Sequence, residues 1–361
     1  NQAISNNARY GLYIADYGND RVTSTAYDLY LQGSGILPSG FRATQTENPN
    51  LKWETTIQYN AGIDFSLFRK ELYGTADIYL KKVKDMLIQP AYLASLGEGG
   101  ASWSNGPSLQ NWGMEFTVGY RHTTTYGLGY NINGNLDFFR NRVTYLPEKA
   151  TGSYAHTTKE NLVQAKVPYG SIVGYVVEGL YQNKEEVESS GQENARVGGL
   201  KYADLDNNGR ITAEDQTWIF NPVPDFSWGL NVSLNYKDFD LSMFFQGVCG
   251  VDIYNNQKFQ TDFYSITDAG SNKGNRMLQA WTQDNTSSTI PALTTNNTGD
   301  EGRASSYFVE HGSWLKLRTL QVGYNMPEKL LKKVNMTSAR LYVSGQNLLT
   351  LKSDGFTVSD P

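Results

Sequence analysis

Along several long stretches of this chain, apolar and polar side chains alternate, which restricts those stretches to β-strands with two unlike faces. From Ile57 one side reads Ile57, Tyr59, Ala61, Ile63, Phe65 and Leu67, and the other Gln58, Asn60, Gly62, Asp64 and Ser66. A short turn at Phe68-Arg69-Lys70-Glu71 follows, and the pattern resumes with Leu72, Ala76, Ile78 and Leu80 against Tyr73, Thr75, Asp77 and Lys81. A second pair sets Trp112, Met114, Phe116, Val118 and Tyr120, then Tyr126, Leu128, Tyr130, Ile132, Leu136 and Phe138, against Gly, Asn, Thr and Asp. A third runs Phe226, Trp228, Leu230, Val232, Leu234 and Tyr236, turns at Lys237-Asp238 and returns through Phe239, Leu241, Met243 and Phe245. A fourth, less regular pair covers 314–325 and 338–349, with a short helix expected at 327–334. Weaker strand patterns lie near 9–17 and 27–31, and further helices are expected at 182–189 and 273–284.

Globular strands average five to six residues. These run to about ten to twelve, the length a tilted strand needs to cross a bilayer. The apolar rows begin and end in Trp, Tyr or Phe, as an interfacial girdle requires. Short connections near 68–71, 124–126 and 237–238 alternate with long ones over roughly 84–110, 141–225 and 250–310. The expectation is an all-β chain, part of a large antiparallel transmembrane β-barrel with short periplasmic turns and long extracellular loops. The competing architecture is a soluble β-sandwich with one wet face.

Composition narrows the function. With 31 basic and 36 acidic residues the formal net charge is −5, which argues against nucleic-acid binding. One Cys, Cys249, excludes an internal disulfide or a cysteine-based zinc site. No apolar run is long enough for a transmembrane helix. His122, His156 and His311 stand far apart with no nucleophile motif nearby, and no carboxylate pair stands out, so the chain is not read as an enzyme. Gly97-Glu98-Gly99-Gly100 lacks the Lys and the strand-to-helix setting of a phosphate loop. Trp103, Trp218 and Trp281, outside the strand rows, are read as packing loops together rather than stacking on sugar rings.

The sharpest local motif runs from Asp204 to Asp215. Oxygen donors at Asp204, Asp206 and Asn208, a glycine at Gly209, the Arg210 carbonyl and a final carboxylate at Asp215 match the twelve-residue calcium loop. The last ligand is Asp where Glu is usual, a variant that resembles dockerin-type loops. Residues 204–215 are therefore expected to hold a structural Ca2+ within an extracellular loop. The competing reading is an Asp/Asn/Gly-rich loop that satisfies its own backbone.

The segments NPNLKWET (48–55), NPVPDFSWGLN (221–231), DLSMFFQGVCGVDIYNN (240–256), WLKLRTLQVGYNMP (314–327) and RLYVSGQNLLTL (340–351) resemble the C-terminal barrel half of SusC/RagA-like TonB-dependent transporters of Bacteroidetes. That resemblance implies a 22-stranded barrel in the bacterial outer membrane. It also implies import of glycans or peptides driven through TonB, with a SusD-like surface lipoprotein as partner and transporter–lipoprotein pairs joined as a dimer. Residues 1–361 then read as the C-terminal portion of the receptor barrel, without the plug, the TonB box and the final aromatic-ending strand. The rival function is a soluble, secreted, calcium-stabilised β-protein that binds carbohydrate.

Overall fold

The computed structural model describes residues 13–16, 40–43, 48–89, 103–145, 147, 168–263, 272–294 and 301–358. Strands β1 (Tyr13–Asp16) and β2 (Gly40–Ala43) pair with each other. Next come β3 (Thr55–Leu67) and β4 (Leu72–Lys84), joined through a 3-10 turn at Phe68–Lys70. The short strands β5 (Leu87–Ile88) and β6 (Ser104–Asn105) form a two-stranded ladder. The long strands β7 (Ser108–Thr123) and β8 (Leu128–Tyr145) follow, turning near Gly127 at φ 91°. The next connection carries β9 (Ile172–Tyr175), β10 (Val177–Leu180), β11 (Leu200–Tyr202) and β12 (Gln216–Phe220). A hairpin of β13 (Phe226–Tyr236) and β14 (Phe239–Cys249) turns at Lys237, φ 54°. Strands β15 (Asp252–Tyr254) and β16 (Val309–His311) bracket the second long connection, and β17 (Trp314–Asn325) and β18 (Arg340–Lys352) complete the series.

The eight long strands form one sheet in the order β3-β4-β7-β8-β13-β14-β17-β18. Sheet neighbours are thus successive long strands of the chain, the expected meander. By contacts the chain divides into two compact units, one of residues 1–58, 81–110 and 142–167, the other of 59–80, 111–141 and 168–361. In the first, Asn105 clips the chain together. It accepts from the Lys52 N–H at 2.8 Å and donates to the Lys52 and Asp85 carbonyls at 2.9 Å each. Leu51, Val83 and Val143 are buried in this unit.

In the second unit the register places like with like. Trp228 faces Gly247 and Leu136, Leu230 faces Phe245 and Gly134, and Val232 faces Met243 and Ile132. Directly opposed residues share a face, so the apolar rows of β8, β13 and β14 merge, and Asn131, Asn133, Asn231 and Ser233 share the other side. The two faces are those expected from the alternation. Where β14 meets β17 a bulge at Phe244/Phe245 takes up one residue and keeps Leu315 and Leu317 beside Gly247 and Phe245.

The buried core of this unit lies in the long connections. Tyr175, Leu180, Leu200 and Tyr202 from one pack with Phe263, Trp281 and Phe308 from the other. Phe308 stacks on Phe259 at 4.0 Å and is completely buried.

Three expectations need revision. The 273–284 helix is only a 3-10 turn, Asn275–Gln279. Met277 and Trp281 are buried, but Leu278 is 91% exposed, so the apolar spacing was not a helical face. Trp218 lies within β12 and not in a loop. The helix near 327–334 is split into Glu328–Leu331 and a 3-10 turn, Lys332–Val334, which ends at Asn335 with φ 54°. The helix at Lys184–Ser189 is as expected, capped by Asn183 accepting from the Glu186 N–H. The segments 27–31 and 97–100 lie outside the described residues.

Candidate functional site

Two features bear on function, the faces of the sheet and the loop at 204–215. On the apolar face the side chains stay open. Ile63 is 70% exposed and Val343 79%, and Tyr59, Val118, Ile132, Phe239, Val322 and Leu351 are also exposed. A contiguous apolar surface of this kind is not left to water. Aromatic pairs lie along it, Phe138 with Phe226 at 5.9 Å, Tyr120 with Tyr130 at 5.8 Å and Phe239 with Tyr324 at 4.8 Å. On the polar face, rings cover glycines. A Cβ on Gly119 would run into the Tyr73 ring, and one on Gly113 into Tyr79. The Tyr73 hydroxyl donates to Asn131 at 3.3 Å.

The 204–215 loop bridges β11 and β12. Asn207 at φ 56° and Gly209 at φ 78° curl it into a ring. Carboxylate oxygens of Asp204, Asp206 and Asp215 come within 4.8 Å of one another. Asp204 accepts from the Asn208 and Gly209 N–H groups at 3.2 and 2.8 Å. Asp215 is fully buried and accepts from the Leu205 N–H at 2.8 Å and the Thr212 N–H at 2.7 Å. Burial pushes its carboxyl up, but the Thr212, Leu205 and Asp206 N–H groups outweigh burial and hold it below the usual range. Asn208 joins less directly. Its Oδ1 accepts from the Arg210 N–H at 2.8 Å and its Nδ2 donates to Asp206 at 2.6 Å. The structure thus gathers the three aspartates and leaves Asn208 bonded within the loop. Three carboxylates gathered this closely are an arrangement that a hard divalent cation with oxygen ligands suits. The donor set, all oxygen, is of the kind that fits a hard divalent cation such as Ca2+.

Sequence reasoning missed a buried charge cluster in the second long connection. Lys258 Nζ lies 2.9 Å from Glu310 and donates to the Tyr307 carbonyl at 2.7 Å. Glu310 also accepts from Asn255 at 3.0 Å and from the Thr357 N–H at 2.8 Å and hydroxyl at 2.5 Å. Burial pushes the Glu310 carboxyl up, but these donors outweigh it and hold it at about 2. Next to it, the Tyr307 hydroxyl donates to fully buried Asp262 at 2.6 Å.

The family model described as "TonB dependent receptor-like, beta-barrel" matches residues 10–348. The chain belongs to the TonB-dependent receptor β-barrel family. As a TonB-dependent receptor barrel chain, it is an outer-membrane protein. TonB-dependent receptor P3 of Formosa agariphila is 34% identical over 324 residues, 86% of this chain and 31% of that protein. TonB-dependent receptor SusC of Bacteroides thetaiotaomicron is 27% identical over 311 residues, 83% of this chain and 29% of that one. The solved RagAB peptide transporter superposes with a TM-score of 0.71 at 21% identity, over 96% of this chain and 35% of its own, a likeness of fold. The receptor chain spans about a third of the length of the curated relatives it matches.

Proposed function

We propose that this chain forms part of the wall and outer loops of an importer that moves oligosaccharides or peptides across the outer membrane. Transport is powered through TonB, and a SusD-like surface lipoprotein captures the cargo. The observation that carries the reading is the division of labour between sheet and loops. The apolar rows are exposed, the opposite face is lined by Asn, Ser, Thr and Gly, and the long connections build a core of their own. A soluble sandwich would bury its apolar rows, so the secreted carbohydrate-binding alternative fits less well. The solved RagAB structure is of a peptide transporter, which supports a peptide cargo, and the name TonB-dependent receptor SusC supports the coupling through TonB. In this reading the residues bind and gate, and no bond of the cargo is made or broken. The 204–215 loop holds a structural Ca2+ through Asp204, Asp206 and Asp215, with Asn208 and the Arg210 carbonyl completing the shell. The ion keeps an outer loop in shape.

The test is purification from native outer membranes in mild detergent, through a tag near Thr295, followed by mass spectrometry. Co-purification of a surface lipoprotein supports the reading. Recovery from the soluble fraction, alone and without detergent, overturns it. For the metal, calorimetry on the stripped protein should show calcium binding that Asp206→Ala abolishes. Equal heats for the two proteins would reject the ion.

A further inference from the structure

Within the second unit, both ladders of β17 are interrupted at Arg318. Against β14 the register steps from Thr319 facing Phe244 to Leu317 facing Phe245, so Arg318 is the extra residue. Against β18 it shifts again between Leu317 and Thr319, and Asn347 there has a left-handed backbone, φ 52°. A bulge disrupts the ladder locally and re-aims the side chain it carries. Here two bulges around one residue leave Arg318 on the polar face. Its Nε donates to Gln246 Oε1 at 3.0 Å and its Nη1 to Asn347 Oδ1 at 3.4 Å. The guanidinium also lies 5.7 Å from the centre of the Trp314 ring.

Two amides and a ring hold this guanidinium, and all three are neutral. Among the described residues no carboxylate pairs with Arg318. Asp240, on the same face of β14, is taken by Arg340 at 2.5 Å, toward the other end of the strands. More positive charge stands beside Arg318 instead. Lys316 lies over the same Trp314 ring at 5.4 Å, and Lys352 is the register partner of Trp314 on β18. A guanidinium carries five N–H donors in a rigid fork. Gln246 and Asn347 take two of them and fix its plane from either side, which leaves donors for an anion. A half-buried fork set in this way suits a carboxylate, which it meets through two parallel hydrogen bonds.

The surroundings indicate what bears the carboxylate. By register Ser242, Gln321 and Ser344 share the polar face, as do Thr319 and Gln346. Amides and hydroxyls in such a row pair with the hydroxyls of a sugar chain. We propose that Arg318 binds a carboxylate of an acidic oligosaccharide, one built of uronic acid units, as the cargo passes the polar face. Gln246 and Asn347 position the fork, and Lys316 and Lys352 add to the positive field. The assignment rests on the importer reading, in which the polar face is the one that meets cargo.

The experiment is calorimetry on the receptor extracted from native outer membranes in mild detergent. It is titrated with oligogalacturonate and oligomannuronate, and with the same sugars after reduction of their carboxyl groups to alcohols. The wild type should bind at least one acidic sugar and not its reduced form. Arg318→Gln should weaken that binding about 10- to 100-fold, the worth of a hydrogen bond to a charged group. Arg318→Lys keeps the charge without the fork and should recover only part of the affinity. If Arg318→Gln fails to insert, Gln246→Ala, which removes only the acceptor of the Nε–H, decides by a loss of about fivefold. Equal affinity for acidic and reduced sugars, unchanged affinity in the variants, or no binding of either acidic sugar overturns the proposal. So does binding of a peptide with a free C-terminus that is lost on amidation and in Arg318→Gln, which would give the fork to peptide cargo. Recovery from the membrane with a surface lipoprotein tests import itself and is independent of these titrations.

Discussion

Glu310 shows how one side chain can hold a loop. Four donors converge on its carboxylate, two of them from Thr357 beyond the last long strand. Replacing it by Gln leaves the Lys258 ammonium buried without its counter-charge. Breaking a buried pair this way costs about 3–5 kcal/mol, so Glu310→Gln should lower the unfolding temperature in detergent far more than Glu328→Gln, whose Lys332 partner is exposed. The pH dependence has a definite sign. The folded pKa of about 2 lies below the ordinary 4.5, so the contribution is complete above about pH 4.5 and is lost as pH falls toward 2. Thermal melts between pH 6 and pH 3 should lose stability in the wild type and lose less in Glu310→Gln. Nothing in the sequence announces this cluster. Its members come from three separated segments, and a lone Lys or Glu in a polar loop reads as solvated.

For the strands, the prediction concerns their faces. Leu230 lies on the apolar side and Asn231 on the polar side, one residue apart. Leu230→Arg should cost about 2–4 kcal/mol if it sits near the midplane of the bilayer, while Asn231→Arg should be tolerated. Folding yields in lipid vesicles measure both, and equal yields would refute the assignment of faces. A second change tests the glycines. A side chain at Gly119 must displace Tyr73, so Gly119→Val should perturb the polar face while Gly127→Val, where a Cβ meets nothing, should be limited to turn strain at φ 91°. Fluorescence of the tyrosines in the folded barrel separates the two. The rows of β7, β8, β13 and β14 were legible because strand periodicity is local and survives without knowledge of partners. Their pairing partners were legible only through turn lengths. The gathering of Asp204, Asp206 and Asp215 was legible as spacing, but the role of Asp215 in capping the Thr212 turn was not, since it depends on burial. The 273–284 pattern misled because Trp281 follows the backbone bond from its N–H to the Ile290 carbonyl at 2.8 Å and not a helix.

At the scale of the whole molecule, the apolar rows make a bilayer or detergent a condition of folding. Dilution below the critical micelle concentration should precipitate the protein, and continued monodispersity would contradict the exposed rows. Meander order has a kinetic side as well. Because each long strand pairs with the one before it, assembly can proceed hairpin by hairpin. Three junctions break that rhythm, and the longest connections, which must close before the ladder can extend, are the two at β8 to β13 and β14 to β17. The residues of those two connections pack on one another around Phe308. A nucleus formed there, outside the bilayer, would bring both late strands to the growing edge together. The slow step of barrel assembly should therefore be sensitive to Phe308 and insensitive to the lipid-facing rows.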